Sequence, residues 1–323
     1  MESPRHVPIL ADEITEKLVA AFTALPIDAP PRALLDCTFG GGGHTGRLLE
    51  AFASDPRLRR HVVVGVDQDA RAIEAGRARF RDAIVAGRMY LMHSRFSQAL
   101  EKLPQVLPAE FRIAGGVRLG GLLADLGFSS DQIDDPTRGL SFRADGPLDM
   151  RLDPARGWSC REYLAQVSEA ELERVLREFG EEKFSKRIAA GIIQSRQKND
   201  LPKTTKALSD IVIRAIPASA RHGRLHAATR SFQALRIVVN EELEELDALL
   251  EHVILALQPG GRAAIMSFHS LEDRRVKHFF QAQSRGDHPQ LELLSKKPII
   301  ANREECLRNP RARSAKLRVA ARV

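Results

Sequence analysis

The stretch Asp36-Cys-Thr-Phe-Gly-Gly-Gly-Gly-His44 decides the fold that we expect for this chain. It follows Arg32-Ala-Leu-Leu-Asp36, whose apolar run predicts a buried strand, and it precedes a helix predicted from about Thr45 to Phe52. Glycines between a strand and a helix let the backbone approach a ligand closely, and the N–H groups at the helix start bind a carboxylate or a phosphate. The stretch therefore predicts a turn that holds an anionic group at the end of a strand.

Strands and helices continue to alternate on the carboxyl side of this turn. Asp69 belongs to the residue types that cap helices, and a helix is predicted from there to Phe80. Further strands are predicted at His61–Asp67, Met89–His93 and Gly121–Asp125. Strands separated by helices are typical of βαβ units and a parallel sheet.

The pattern changes after Asp125. Residues 130–150 are rich in Asp, Gly and Pro and predict a long loop, whereas residues 159–216 carry helical signals and no convincing strand. Ser168, with Glu171 three residues later, predicts a capping box inside this helical region. The chain therefore leaves the α/β pattern for a helical segment.

The α/β pattern resumes near Thr229. Apolar residues recur every three or four positions from Phe232 to Leu257 and predict one helix of about seven turns, which Pro259-Gly-Gly261 ends. A strand is predicted at Arg262–Phe268 and a closing edge strand at Ala315–Arg322. These elements complete the sheet domain.

Length and composition fit a soluble α/β protein with a helical insertion. The chain has 323 residues, 43% of them hydrophobic, and no apolar run approaches the roughly 18 residues of a spanning helix. The start lacks the apolar segment of a signal peptide, and the three scattered cysteines show neither metal-ligand spacing nor a disulfide framework, so we expect a cytoplasmic protein without a metal. The expected domains are an α/β domain at residues 1–134 and 229–323 and a helical insertion at residues 135–228.

Positive charge is concentrated in two segments. The whole chain has a formal net charge of +7, and residues 151–228 and 303–323 each contain five more Lys and Arg than Asp and Glu. Such local excess is typical of a polyanion-binding surface, although a solvated basic surface gives the same count.

Asp67 adds a second observation about the ligand. It ends the predicted strand that follows the glycines, 24 residues after Gly43, where an acid accepts hydrogen bonds from both ribose hydroxyls of a nucleoside. The pattern predicts a nucleoside cofactor, and the alternative is a tight turn with a helix-capping acid. Because Gly41-Gly-Gly-His-Thr-Gly46 also matches the dinucleotide pattern, spacing leaves NAD open. However, we find no acid–base pair placed for hydride transfer.

A set of motifs that runs almost end to end resembles the RsmH (MraW) family, the bacterial 16S ribosomal RNA cytosine-N4 methyltransferases. The matching stretches are His6-Val-Pro-Ile-Leu10 with Asp12-Glu13, Asp36 to His44, Asp125-Leu-Gly-Phe-Ser-Ser130 with Gln132, Asp145-Gly-Pro-Leu-Asp-Met-Arg151, Phe179-Gly-Glu-Glu182, Ala228-Thr-Arg-Ser-Phe-Gln233, Ser267-Phe-His-Ser-Leu-Glu-Asp273 and Asn309-Pro-Arg-Ala-Arg-Ser314. Cys37 stands where the family usually has glycine. The resemblance implies a Rossmann-like class I methyltransferase sheet with an inserted all-helical subdomain, and S-adenosyl-L-methionine as the cofactor.

The resemblance also implies the residues that contact the cofactor, namely Gly42, Gly43, His44, Asp67, Phe96, Asp125 and Gln132. In this interpretation Gly42 and Gly43 line the methionine end while Gly40 and Gly41 shape the turn. Asp67 holds the ribose and Phe96 covers the adenine. Structural alternatives are a helix cap for His44, a core aromatic for Phe96 and a loop residue for Gln132.

Cytosine N4 is a poor nucleophile, because its lone pair is delocalised into the ring. Its attack on a methyl group needs in-line positioning and a group that accepts a hydrogen bond or proton from the amine. The candidates are Asp125 with the carbonyls around Leu126, and secondarily Ser267 and His269 at the end of a later strand; His269 is equally well explained as a packed histidine. Arg236 and Asn240 lie on the polar side of the predicted long helix and face either a cleft or solvent.

The partner that the resemblance implies is 16S ribosomal RNA or the 30S subunit. The helical insertion and the basic carboxyl-terminal segment are the expected phosphate-binding surfaces, since Lys and Arg supply most of the affinity for nucleic acid. The basic candidates are Arg138, Arg143, Arg151, Arg308, Arg311, Arg313, Lys316 and Arg318. No membrane contact is expected, and the sequence leaves the oligomeric state open, a dimer included.

Three other classes remain as alternatives. A DNA amino-methyltransferase usually carries an acid or amide followed by Pro-Pro and an aromatic residue, and this chain has Asp125-Leu-Gly-Phe128 instead. An NAD oxidoreductase would reduce nicotinamide. A non-catalytic RNA-binding or assembly protein would keep the fold alone, but the glycines, Asp67 and Asp125 are all present.

Overall fold

A computed structural model describes residues 8–221 and 226–323 of the chain. The chain divides into two compact units, Met1–Gly127 with Glu244–Val323, and Phe128–Leu243. The second unit extends beyond the insertion expected at residues 135–228 on both sides, since it also contains residues 128–134 and the helix that begins at Thr229. His6, which opens the first family motif, lies outside the described residues.

The first unit contains a seven-stranded sheet among the described residues. Its strands are β1 (Ala33–Asp36), β2 (Val62–Asp67), β3 (Met89–His93), β6 (Leu119–Asp125), β7 (Leu257–Ser267), β8 (Leu291–Leu293) and β9 (Lys316–Arg322). The order is β3-β2-β1-β6-β7-β9-β8. The first five strands in this order are parallel, and β9 is antiparallel to both of its neighbours. The strand order reverses at β1, and in open α/β sheets ligands bind beyond the carboxyl ends of the strands at such a point.

Both faces of this sheet are covered, which explains why its strands are apolar without alternation. All residues of β1 and β2 are buried, as a parallel sheet with helices on both faces requires. Leu35 and Val64 belong to one core cluster, and Leu34 and Val63 belong to another on the opposite face. The first unit is therefore a three-layer α/β/α structure.

The helices of the first unit form the two outer layers. They are α1 (Ala11–Thr23), α2 (Gly43–Ser54), α3 (Ala70–Arg79), α4 (Arg81–Val85), α5 (Phe96–Val106), α13 (Ser270–Gln283) and α14 (Arg303–Arg308). A short hairpin, β4 (Arg112–Ile113) with β5 (Gly116–Val117), precedes β6 and was absent from the sequence prediction. Asp69 caps α3 as predicted, because its carboxylate accepts a hydrogen bond from the Arg71 N–H.

The second unit is helical in the described residues. Its helices are α6 (Ser130–Asp134), α7 (Cys160–Gln166), α8 (Glu169–Gly180), α9 (Ser185–Gln197), α10 (Thr205–Ala215) and α11 (Thr229–Asn240). Ser168 caps α8 through the Glu171 N–H, which is one half of the capping box predicted there. The complete reciprocal capping box forms instead at Ser159 and Glu162, at the start of α7. The helix α6 and a 3₁₀ turn at Pro136–Arg138 correct the prediction of an unbroken loop over residues 130–150.

The prediction of one seven-turn helix from Phe232 to Leu257 is wrong. The chain forms α11 and then α12 (Glu242–Ala256), separated by Glu241 in the left-handed region at φ 53°. The side chain of Asn240 is buried, accepting from the Leu152 N–H at 2.9 Å and donating to the Met150 carbonyl at 2.9 Å. These hydrogen bonds are formed by the last residue of α11. The spacing of apolar residues does not report them, so it could not indicate where the helix ends.

The structure also corrects the expected positions of Asn240 and of the last strand. Asn240 was expected on a polar face but is buried, while Arg236 forms an ion pair with Glu242 and lies over the Phe128 ring at 4.1 Å. The closing strand β9 is not at the sheet edge, because it pairs with both β7 and β8. No helix in the described ranges has the length and apolar character to cross a lipid bilayer.

Candidate functional site

The glycine turn between β1 and α2 has two residues in the left-handed region, Gly40 at φ 51° and Gly42 at φ 71°. Gly42 is the N-cap of α2 and contributes no side-chain hydrogen bond, so the first N–H groups of α2 have no side-chain cap. A Cβ at Gly42 would lie 2.5 Å from the Phe80 ring and 2.8 Å from the Phe39 ring. Gly42 is therefore needed for the shape of the turn, a task that the sequence analysis gave to Gly40 and Gly41 alone.

Asp36, to which the sequence analysis gave no role in the site, ties the glycine turn to the end of β1. Its buried carboxylate accepts hydrogen bonds from Thr45 Oγ1 at 2.7 Å and from the Thr38 N–H at 3.2 Å. Burial raises the pKa of Asp36, and the Thr45 hydrogen bond opposes that shift. The only signal in the sequence was an acid followed by two threonines.

Asp67 lies at the end of β2 and binds the backbone of the same glycine turn. Its Oδ2 accepts from the Gly40 N–H at 2.7 Å and its Oδ1 accepts from the Asp69 N–H at 2.8 Å. Burial raises the pKa of Asp67 to about 6, although both backbone hydrogen bonds oppose the shift. Each carboxylate oxygen keeps a second lone pair, so Asp67 has the capacity to accept two further hydrogen bonds from a diol.

Asp125 ends β6 next to β1, and its backbone N–H donates to Thr38 Oγ1 at 2.6 Å. The Oδ1 atom of Asp125 is buried and has no hydrogen-bond partner among the described residues. His44, in the first turn of α2, is buried as well, and neither of its ring nitrogens has a hydrogen-bond partner within the described ranges. The His44 Nε2 lies 3.5 Å from Asp125 Oδ2, so two incompletely satisfied polar groups meet at the carboxyl edge of the sheet.

Phe96 is the first residue of α5, two residues beyond the end of β3, and its half-buried side chain packs against the core of the sheet. Glu245 of α12 is buried and holds this helix start in place. Its carboxylate pairs with Arg95 at 3.0 Å and accepts from the Ser97 N–H at 3.4 Å. Phe96 is therefore presented by a helix start that is held at a defined position.

Gln132 lies in the second unit and is buried. Its Oε1 accepts from the Ser129 N–H at 3.0 Å, while its own N–H donates to Ser129 Oγ at 3.2 Å. This reciprocal pair is a capping box at the start of α6. The observed role of Gln132 is structural, and its contact with a cofactor stays a prediction.

Ser267 is the last residue of β7, and His269 lies two residues further, before α13. The Ser267 hydroxyl is buried and donates to the Lys316 carbonyl at 3.4 Å. His269 is the N-cap of α13, since its Nδ1 accepts from the Glu272 N–H at 3.4 Å. Both side chains thus have structural bonds, and their catalytic role stays a prediction.

Some of the basic candidates are already paired. Asp273 forms ion pairs with Arg318 at 2.7 Å and with Lys316 at 3.0 Å. Burial by itself would raise the pKa of Asp273, but the hydrogen bonds from Arg318 and Lys316 outweigh it and hold that pKa below its ordinary value. Arg151 is likewise held by Asp149 at 2.7 Å. By contrast, Arg143 and Arg313 are exposed, and Arg308 is exposed but lies 3.6 Å from the Glu304 carboxylate.

The sequence matches the family model described as the MraW methylase family over residues 3–323. Two curated relatives are both named ribosomal RNA small subunit methyltransferase H. The protein from Trichlorobacter lovleyi is 42% identical over 336 residues, covering 100% of both chains. The protein from Nitrosococcus oceani is 43% identical over 332 residues, covering 99% of this chain and 97% of the relative.

Solved structures give weaker similarities. An rRNA methylase from Streptococcus thermophilus aligns with a TM-score of 0.40 at 9% identity, covering 97% of this chain and 93% of the other. A methyltransferase homolog protein from Pyrococcus horikoshii aligns with a TM-score of 0.37 at 13% identity, covering 95% of this chain and 64% of the other.

Proposed function

This chain belongs to the MraW methylase family, and from that premise we propose that it methylates the exocyclic N4 of a cytidine in 16S ribosomal RNA, in the decoding region of the small subunit. Its cofactor is S-adenosyl-L-methionine. The ribosomal RNA substrate is supported by the names of the relatives, and the position and atom by the family resemblance. We place the reaction in the cytoplasm, on naked RNA or on the 30S particle, and leave the oligomeric state open.

The residues at the carboxyl edge of the sheet fit this cofactor. The turn offers helix N–H groups without a side-chain cap, which suit the carboxylate of a methionine moiety. Asp67 has acceptor capacity left for ribose hydroxyls. Gly43 and His44 lie in the first turn of α2, while Phe96 would cover the adenine and Gln132 would add an amide contact.

The observation that carries the proposal is the unpartnered Asp125 carboxylate oxygen at the end of β6. When bound, the cofactor supplies an electrophilic methyl group. The attacking amine must lose a proton as its nitrogen forms the new bond, and a carboxylate at this edge accepts a hydrogen bond or that proton. The His44 Nε2 lies 3.5 Å from the other oxygen of this carboxylate, Asp125 Oδ2.

The decisive experiment incubates the protein with methyl-labelled S-adenosylmethionine and either 30S particles or naked 16S RNA, and maps the labelled nucleotide. We expect label on the N4 of one cytidine, and comparison of the two substrates identifies the form that is recognised. Label on a ring carbon, a ribose or another base would contradict the proposal, and so would nicotinamide reduction without methyl transfer.

Asp125→Asn tests the role of the carboxylate in the same assay. Because general-base assistance contributes roughly 100-fold or more, we expect the turnover number to fall by about that factor, and cofactor affinity to fall by less because asparagine keeps an acceptor oxygen at the expected cofactor contact. The matched control is Asp82→Asn, which changes an exposed acid of α4. If Asp125→Asn retains full turnover, the assignment of Asp125 as acceptor fails, although the methyltransferase function stands.

A further inference from the structure

The loop before α7 presents Trp158, the only tryptophan of the chain, to solvent. The side chain is 54% exposed. Tryptophan usually buries most of its surface, and its exposure is common where it contacts a ligand or partner. In the described part of the second unit, no other large hydrophobic side chain is exposed. An isolated aromatic ring of this kind is too small for an apolar protein interface.

The loop is held firmly on the side that leads to Trp158. Arg151 pairs with Asp149 through Nε at 2.7 Å and Nη2 at 2.9 Å, and its Nη1 donates to the Gly157 carbonyl at 3.2 Å. The next residue, Leu152, donates its backbone N–H to the buried Asn240 side chain. Arg151, which is held by Asp149, therefore fixes the position of Gly157 directly before the tryptophan.

The side that leads away from Trp158 is held as well. Ser159 and Glu162 form the capping box of α7, and Cys160 donates its backbone N–H to the Asp149 carbonyl at 2.6 Å. Cys160 is fully buried. Ordered backbone on both sides means that the exposure of Trp158 is built into the loop, and an ordered aromatic ring binds without first losing conformational freedom.

Two arginines flank the ring along the chain. Arg156 and Arg161 are exposed, and neither has an ion-pair partner in the part of the chain that the structure describes. The nearby acids are engaged with their own loop: Asp153 accepts from the Ala155 N–H at 3.0 Å, and Glu162 belongs to the capping box. The loop therefore offers an aromatic face with positive charge before and after it.

We propose that Trp158, together with Arg156 and Arg161, forms a stacking site for one unpaired nucleobase of a single-stranded RNA segment. The inference rests on the proposed ribosomal RNA substrate and names a contact outside the reacting nucleotide. The indole stacks on a base of any identity, and the guanidinium groups bind the adjacent phosphates. Positive charge on both sides favours a nucleic acid strand over a protein surface at this position.

The single tryptophan allows a direct test, because the intrinsic tryptophan fluorescence of the protein comes from Trp158 alone. The probe is an unstructured oligocytidylate, and the comparison ligand is inorganic polyphosphate of equal charge. We expect saturable quenching by the oligonucleotide and little quenching by polyphosphate, which binds the arginines without stacking. Oligonucleotide binding without quenching would overturn the proposal.

Variants separate stacking from charge. We expect Trp158→Ala to weaken oligonucleotide binding by about tenfold in an anisotropy assay with labelled RNA, and Trp158→Phe to retain most of the affinity. The control is Leu255→Ala, an exposed apolar residue of the first unit, which should leave binding unchanged. The double variant Arg156→Ala, Arg161→Ala should reduce the slope of the logarithm of the binding constant against the logarithm of salt concentration by the equivalent of about two phosphate contacts. Equal affinity of Trp158→Ala and the unmodified protein would sink the stacking site.

The methylation assay on 30S particles is run with the same variants. If Trp158→Ala binds free RNA normally but loses affinity for the 30S particle, the ring contacts a ribosomal protein and the RNA proposal is overturned. If all variants lack methyl transfer and the unmodified protein lacks it too, the proposed function fails instead. The two failures are therefore distinguishable.

Discussion

Asp67 combines two tasks in one carboxylate, since it fixes the backbone of the glycine turn and keeps lone pairs for a ligand. Its pKa of about 6, raised by burial, makes the second task dependent on pH. As the pH falls through 6, the carboxylate takes up a proton and loses acceptor capacity. Cofactor affinity, measured by calorimetry, should be constant above about pH 7 and fall by up to tenfold per pH unit below 6.

Asp67→Asn is the matching variant. We expect it to raise the dissociation constant about tenfold or more at pH 7.5, because hydrogen bonds to a charged acceptor are stronger than those to an amide, and to remove the step near pH 6. Asp82→Asn, on the exposed side of α4, should retain both the affinity and the step. A step that persists in Asp67→Asn would assign the titration to another group.

The residues around the turn show how far the sequence could be followed. The glycines and Asp67 were predictable, because a strand, a turn and a strand-end acid leave a local pattern. Asp36 and Glu245 were not, since their importance lies in burial and in partners such as Thr45 and Arg95. Contacts with partners distant in sequence, here 150 residues apart for Glu245, are formed only by the fold.

At the scale of the element, the β1–α2 turn depends on one backbone conformation. Gly42→Ala places a Cβ at a positive φ and against the Phe39 and Phe80 rings, and should lower the free energy of unfolding by about 2 kcal/mol or more. Gly43→Ala is the matched control. The atoms nearest to its Cβ would be those of the Pro8 side chain, at 3.3 Å or beyond, so this variant should cost less than about 1 kcal/mol. Thermal or chemical denaturation measures both, and equal losses would contradict the conformational argument.

The junction between α11 and α12 gives a second prediction at this scale. Asn240→Ala leaves the buried Leu152 N–H and Met150 carbonyl without their partner, so the second unit should lose about 2–3 kcal/mol of unfolding free energy. Trp158 fluorescence follows the unfolding of that unit during a denaturant titration.

Glu241→Gly is the control for this junction. Glycine adopts φ 53° without strain, so this variant should keep the junction and stay within about 1 kcal/mol of the unmodified protein. An Asn240→Ala variant as stable as the unmodified protein would show that the buried amide is dispensable.

This junction also explains why the long helix could not be excluded from sequence. Its apolar residues keep a helical period across the break, so the pattern reports which faces are buried and not where the backbone turns. No glycine or proline marks the end of α11, because Glu241 itself adopts the left-handed conformation. By contrast, α3 begins at its predicted cap, since Asp69 is a local signal. Local signals were confirmed here, and an element end set by a tertiary contact was missed.

At the scale of the whole molecule, the class of fold followed from the sequence, because alternating strands and helices favour parallel βαβ units. The edge order did not, since β8 has only three residues and β9 pairs on both sides. The sequence predicted the net charge of each segment, and the structure separates the basic residues that are paired with acids from those that are not. Lys316, Arg318 and Arg151 are in ion pairs with acids, so fewer basic groups are available to phosphates than the net charge indicates.

The salt dependence of RNA binding measures how many cations take part. The logarithm of the binding constant should fall linearly with the logarithm of salt concentration, and Arg143→Ala and Arg313→Ala, which change exposed residues, should each reduce the slope by about one contact. Arg318→Ala is the matched control: because Arg318 is paired with Asp273, its loss should lower stability and leave the slope unchanged. Filter binding between about 50 and 200 mM salt supplies the slopes. An affinity that stays flat over this range would contradict a phosphate-binding surface, and a slope that falls with Arg318→Ala would show that RNA displaces Asp273 from its ion pair.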